Sequence, residues 1–147
     1  MLFQPLSNQQ SMLDESWKSK LMDGLNKDYH QLGWRKIWVA ITEENKIVGH
    51  IDIRSRNQQN AEHRVLLGMG VDSQFRKLKI GEQLLEFIIH FCRNNPKICW
   101  IDLEVLSHNK PALYLYEKLH FKHLSTVEDM FRIDDISYDY TTMTLNV

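Results

Sequence analysis

The strongest constraint on the fold lies between Arg64 and Leu106, where the spacing of apolar residues changes from two to about 3.6 and back again. From Arg64 to Val71, the residues Val65, Leu67, Met69 and Val71 alternate with Leu66, Gly68 and Gly70, the pattern of a strand with one face kept bare. Ile80, Leu84, Ile88 and Phe91 then share one side of a helix, with Glu82, Gln83, Glu86 and Arg93 opposite, and Asn94-Asn95-Pro96 ends it. From Ile98 to Leu106 alternation returns, with Ile101, Leu103 and Val105 on one face and Asp102 and Glu104 on the other. A strand, a helix and a strand so spaced form a β-α-β unit, which requires parallel strands and almost always a right-handed crossover.

Hairpins flank that unit and make the expected sheet mixed. Lys36 to Ile41 and Lys46 to Ile53 are β-rich runs joined by Thr42-Glu43-Glu44-Asn45, a connection of hairpin length. Phe121 to Val147 is β-rich with a turn near Asp134-Asp135. Before the first hairpin, Leu13, Trp17, Leu21 and Leu25 recur at near-helical spacing behind Ser7 or Ser11 as caps, so residues 8 to 31 read as one bent helix or two short ones with a break or join at Gly24. Arg54 to Glu62 is polar and aperiodic, a loop. Asn109 ahead of Pro111 is an N-cap with proline in the first turn, opening a helix through Leu119.

Length and composition bound the function. At 147 residues with 43% apolar content, the chain is expected to be a single domain, 1–147, with a sizeable core. Its 18 Lys+Arg against 19 Asp+Glu give no long-range pull on nucleic acid or anionic membrane, so neither is an expected partner. Cys92 and Cys99 are too few for a disulfide framework, packing explains both, and a reducing cytoplasm is the expected compartment. Met1 to Gln10 lacks a basic region followed by an apolar stretch, and the longest apolar tract, Leu84 to Cys92, is interrupted by Glu86 and His90; secretion and membrane spanning are not expected. The seven histidines are scattered, and no metal site is expected.

The chemistry points to the segment Val71 to Gly81, which joins the bare strand to the amphipathic helix. Unpaired amides at a helix N-terminus, with the macrodipole behind them, suit a phosphate or pyrophosphate, and Arg76, Lys77 and Lys79 add three positive charges; a solvated basic turn would look the same. Neither the Walker pattern nor the Rossmann glycine pattern is present.

This segment resembles the cofactor motif of the GNAT superfamily of acetyl-CoA-dependent N-acetyltransferases, Gln/Arg-x-x-Gly-x-Gly/Ala between a strand and a helix. Arg76, Ile80 and Gly81 match it, Leu84-Leu85 follow, and Lys79 replaces the first glycine. A second block, Leu103 to Phe121, is similar to the family's later motif of strand, Asn, then Ala and Leu-Tyr on a helix, and Gly-Phe, with His120 where Gly is usual. Ile47-Val48-Gly49 resembles the early strands, so the likeness covers roughly residues 36 to 147.

The resemblance implies an α/β (α+β) fold with a mixed, mostly antiparallel central sheet, a splayed parallel strand pair and about four flanking helices. It implies acetyl transfer from acetyl-CoA to a primary amine, of a small molecule or a protein, by direct attack in a ternary complex without a metal. Pantetheine would lie beside Met69, Gly70 and Val71, and the pyrophosphate on the amides of Arg76, Lys77, Leu78, Lys79, Ile80 and Gly81. Gly68 and Gly70 suit close approach of that arm, although a strand kept slim for helix packing would also carry glycine. Asn109 would cap its helix and contact the pantetheine.

Tyr116 matches the family tyrosine that protonates the departing thiolate, a phenol with an ordinary pKa near 10 remaining a donor at neutral pH. A core tyrosine is the competing reading, because Ala112, Tyr116 and Leu119 share a helical face, and Tyr114 is the fallback acid. Glu104, 12 residues before Tyr116 in a context similar to the ribosomal-protein N-terminal acetyltransferases of this superfamily, is the first candidate for the base, ahead of Asp102 and Glu62. Asp52, Glu104 and Asp134 could present negative charge to an ammonium where the N-terminal helices, the 54–62 loop and the last hairpin meet. The alternative function is a catalytically inactive acyl-CoA-binding regulatory module of the same fold, for which Lys79 and His120 would be the signature. The family often dimerises, so a homodimer is compatible with the resemblance.

Overall fold

The computed structural model describes residues 15–29 and 31–147. In chain order these form α1 (Glu15–Leu25), β1 (Arg35–Ile41), β2 (Ile47–Ser55), β3 (Arg64–Val71), a short 3-10 turn (Ser73–Phe75), α2 (Ile80–Arg93), β4 (Trp100–Leu106), α3 (Lys110–Lys118), β5 (Lys122–Ile133) and β6 (Ile136–Asn146). The expected 8–31 helix is shorter than its periodicity implies: α1 ends at Leu25, and residues 26–29 and 31–33 are non-helical, mostly turns and bends. The part of that expectation on residues 8–14, including the serine caps and Leu13, lies outside the described residues. Gly24 explains the stop. A Cβ there would stand 2.9 Å from the Gly33 carbonyl oxygen, so the chain folds back against the last turn of α1. Three α-helices, rather than about four, flank the sheet among the described residues.

The six strands form one sheet in the order β1-β2-β3-β4-β6-β5, with β3 and β4 parallel and every other neighbouring pair antiparallel. The β5–β6 hairpin turns at Asp134-Asp135, both at positive φ (51° and 64°), the backbone of a tight primed turn. One face of the sheet carries Ile51, Ile53, Val65, Leu67, Ile101, Leu103 and Met143, all buried, and α2 covers it with Leu84, Leu85, Ile88, Ile89 and Cys92. Each such side chain withdrawn from water contributes roughly 1.5–3 kcal/mol, which makes α2 the element that fixes the sheet. Cys92 packs as expected, but Cys99 is exposed, because it precedes β4 instead of lying within it. No described helix is long and apolar enough to cross a membrane.

Candidate active site

The parallel pair is joined for only half its length. Register runs from Arg64 opposite Trp100 to Leu67 opposite Leu103 and stops there, while β3 continues to Val71 and β4 to Leu106. The strands therefore splay beyond Leu67, leaving facing main-chain edges open to hydrogen bonds from an inserted chain. Met69 and Val71 line this opening on the helical side; a Cβ at Gly81 would meet Leu115, Val71 and Met69 at 3.5–3.7 Å, ordinary contact distances. β3, the start of α2 and α3 thus converge on one spot. Gly70 is buried on the other face, paired with His50 of β2.

Gly68 has a reason for being bare that was not among those expected. A Cβ there would stand 2.5 Å from Asp52 Oδ2 and 3.1 Å from Arg54 Nη1, so the missing side chain is what seats this ion pair on the sheet.

After β3 the chain is held by three bonds, one of them from the Phe75 amide to the Asp72 carbonyl at 2.9 Å. The Asp72 amide donates to the Val48 carbonyl at 2.9 Å, and Asp72 Oδ1 accepts from the Gln74 amide at 2.9 Å. Arg76 is extended, Lys77 has φ 64°, and Lys79 is left-handed at φ 61°, ψ 9° as the N-cap of α2, with no side-chain cap bond. Lys79 thus adopts the conformation that a glycine would take. Arg76, Lys77, Leu78 and Lys79 are all exposed. The first capping bond of α2 is donated by Gln83 to the Lys79 carbonyl at 3.0 Å, and no turn or cap bond is donated by the amides of Ile80, Gly81 and Glu82 ahead of it. Glu82, the acid of this first turn, is tied to Lys118 of α3 at 2.5 Å, and that hydrogen bond holds its carboxyl below the usual range. The helix start therefore presents open amides and exposed lysines, the composition of an anion cradle.

Asn109 caps α3 as expected, Oδ1 accepting from the Ala112 amide at 3.3 Å. The other end of α3 closes in a Schellman arrangement: His120 donates to the Glu117 carbonyl and Phe121 to the Tyr116 carbonyl, both at 3.0 Å, with His120 at φ 69°. This second departure from the family pattern also keeps the glycine conformation. The cap brings the Phe121 ring to 5.8 Å from that of Tyr116 and fixes the tyrosine.

Tyr116 is 7% exposed, and burial, helped by Tyr140, pushes its phenol up to about 12. Tyr114 is 70% exposed and points away from the core, which removes it as a fallback. Glu104 is exposed on the face opposite α2, at the end of the paired part of β4. Tyr140, which the sequence reading missed, lies diagonally across from Glu104 on β6, since Leu106 pairs with Tyr140 and Glu104 with Thr142. Burial raises the Tyr140 phenol, the Glu104 charge raises it further, and Arg54 opposes them. The charges of Glu104 and Arg54 thus act on Tyr140, and that of Tyr140 on Tyr116.

Two of the other candidate acids, Asp102 and Asp52, are committed to arginines. Asp102 accepts from Arg64 at 2.6 and 2.9 Å and from Thr144 at 2.6 Å. Asp52 is paired with Arg54 at 3.0 Å and Arg35 at 3.4 Å, so it has little charge to offer an ammonium. Glu62 is exposed in the 56–63 connection, and Asp134 is in the β5–β6 turn.

A six-stranded mixed sheet, splayed at its one parallel pair and followed by an amide-lined helix start, is the architecture of an acyl-CoA-dependent acetyltransferase. Residues 7–121 match the model of the acetyltransferase (GNAT) family, and the chain belongs to that family. It is 26% identical over 109 residues to the L-amino acid N-acetyltransferase AaaT of Escherichia coli (strain K12), covering 74% of this chain and 62% of that one. The chain spans about half to three fifths of the length of the curated relatives it matches. In three dimensions it is similar to a GNAT-family acetyltransferase of Streptococcus pneumoniae (TM-score 0.81, 20% identity, 100% of this chain and 85% of that one). It is also similar to Arabidopsis thaliana NAA60 in complex with acetyl-CoA (TM-score 0.71, 16% identity, 92% and 85%).

Proposed function

We propose that the chain moves an acetyl group from acetyl-CoA to a primary amine by direct attack in a ternary complex. The observation that carries this reading is the opening between β3 and β4, which leads to the amide-lined start of α2 on one side and to Glu104 on the other. The residues present suit acetyl-CoA: exposed Arg76, Lys77 and Lys79 with the amides of Leu78, Ile80 and Gly81 for the pyrophosphate, and Met69, Gly70, Val71 and Asn109 along the arm. When bound, acetyl-CoA supplies an acetyl group activated as a thioester.

The chain's own residues then manage protons. Glu104 takes the proton that the amine loses as its nitrogen bonds to the acetyl carbon, and Tyr116 gives its phenolic proton to the sulfur as the C–S bond breaks. Burial does not disqualify Tyr116, because desolvation raises both partners. Burial raises a thiol, as it does the buried Cys92 thiol, for the same reason that it raises the Tyr116 phenol.

The inactive-module alternative loses its specific support, since Lys79 and His120 both hold glycine-like backbone conformations. Calorimetric titration with acetyl-CoA, followed by mass detection of products on an amine panel, tests the proposal. Binding with turnover is the expected outcome. Binding without turnover on any amine would favour the module, and no binding would remove both.

A further inference from the structure

The face of the sheet opposite α2 carries more positive charge than its carboxylates can neutralise. Register places Arg35, Arg54, Leu66, Asp102 and Thr144 in one row across five strands. The next row holds Asp52 and Gly68 on one side of the splay and Glu104 and Thr142 on the other. Asp52 serves Arg35 and Arg54, and Asp102 serves Arg64 and Arg56, so four guanidiniums share two carboxylates.

Over these rows opens a cleft of about 560 Å³, walled by α1, residues 54–58 and Glu104. Its cations are Lys20, Lys27, Arg35, Arg54 and Arg56; its acids are Glu104 and Asp23, and Asp23 is taken by Lys27 at 2.5 Å. Burial lowers the Arg35 guanidinium, and the attraction of Asp52 opposes this more than the Arg54 charge adds to it.

We propose that the acceptor is a small amine bearing a carboxylate, its amine directed to Glu104 and its carboxylate held by Arg54 and Arg56. This rests on the amine-acetylation reading above. Glu104 is exposed in the same cleft as both arginines, so one short zwitterion can answer both charges. Arginine suits the role because its planar fork meets a carboxylate through two parallel hydrogen bonds. Arg56 is the more available of the two. It stands 3.5 Å from Asp102, which Arg64 and Thr144 already satisfy at 2.6–2.9 Å, whereas Arg54 is held by Asp52 at 3.0 Å.

The test is kcat/KM for amines supplied in pairs, each carboxylate beside its carboxamide, on the wild type and Arg56→Gln. The carboxylate member is expected to be preferred by about 10–100-fold, the worth of a charge-assisted contact. Arg56→Gln should erase most of that preference through KM while kcat changes little. Equal use of the carboxamides, or an equal loss on both members in Arg56→Gln, overturns the proposal. Should no amine be acetylated, the acetyl-transfer reading falls by itself, and titration of the same pairs into the CoA-saturated protein decides this inference. Carboxylate-selective binding abolished by Arg56→Gln upholds it; binding of both members alike, or of neither, overturns it.

Discussion

Tyr116 and Glu104 sit on different elements and are exposed to opposite degrees, and the roles proposed for them predict different losses. Removing the Tyr116 hydroxyl leaves the ring and its Phe121 contact in place. Tyr116→Phe should therefore lower kcat by one to four orders of magnitude, roughly the worth of a positioned acid, with acetyl-CoA affinity nearly unchanged by calorimetry. Unchanged turnover would move the acid elsewhere. Glu104→Gln keeps the size and polarity of an exposed side chain and should alter the pH profile of kcat/KM if Glu104 is the base. A profile identical to the wild type would remove that assignment. At this scale the sequence pointed to Tyr116, Glu104, Asn109 and the basic turn. It did not show the network of Asp52, Asp102 and their arginines, or Tyr140. Those residues come from β1, β2 and the connection after it, β3, β4 and β6, and the pairing register, which is a long-range property, brings the strand residues to one face.

The elements carry two left-handed residues at the positions where the sequence departs from the glycines of the motifs it resembles. Lys79 at φ 61° opens α2 and His120 at φ 69° closes α3. A left-handed side chain costs about 1–2 kcal/mol, partly offset because glycine would loosen the unfolded chain by about 0.4–1 kcal/mol. His120→Gly is accordingly expected to raise stability by roughly 0.5–1 kcal/mol in urea unfolding, without disturbing the Tyr116 site. A loss of stability would mean that the imidazole makes a compensating contact. Element boundaries were mostly legible because periodicity and punctuation agree: α2 begins at Ile80 and β3 spans Arg64–Val71, as the apolar spacing indicates. At α1 the helical spacing runs through Leu25, but the helix stops there because Gly33 and Arg35 pack against Gly24, an approach that no local pattern encodes.

For the molecule as a whole, the paired carboxylates predict how it responds to acid. Burial pushes the Asp102 carboxyl up, but the hydrogen bonds from Arg64 and Thr144, with the charges of Arg64 and Arg56, outweigh it and hold the group below the ordinary value near 3.9. A carboxyl depressed in the folded state stabilises fully above its unfolded pKa and loses that contribution as pH falls through the folded one. Thermal midpoints should therefore fall below about pH 4 more steeply in the wild type than in Asp102→Asn. Parallel curves would show that Asp102 does not govern acid stability.

The central proposal is that acetyl-CoA binds in the splay between β3 and β4 and on the amide-lined turn that follows it. The direct measurement is amide chemical shifts on titration with acetyl-CoA. Saturable shifts concentrated on Lys77 to Gly81 and on Met69 to Val71 are predicted. An unchanged spectrum, or shifts confined to other parts of the chain, would contradict it.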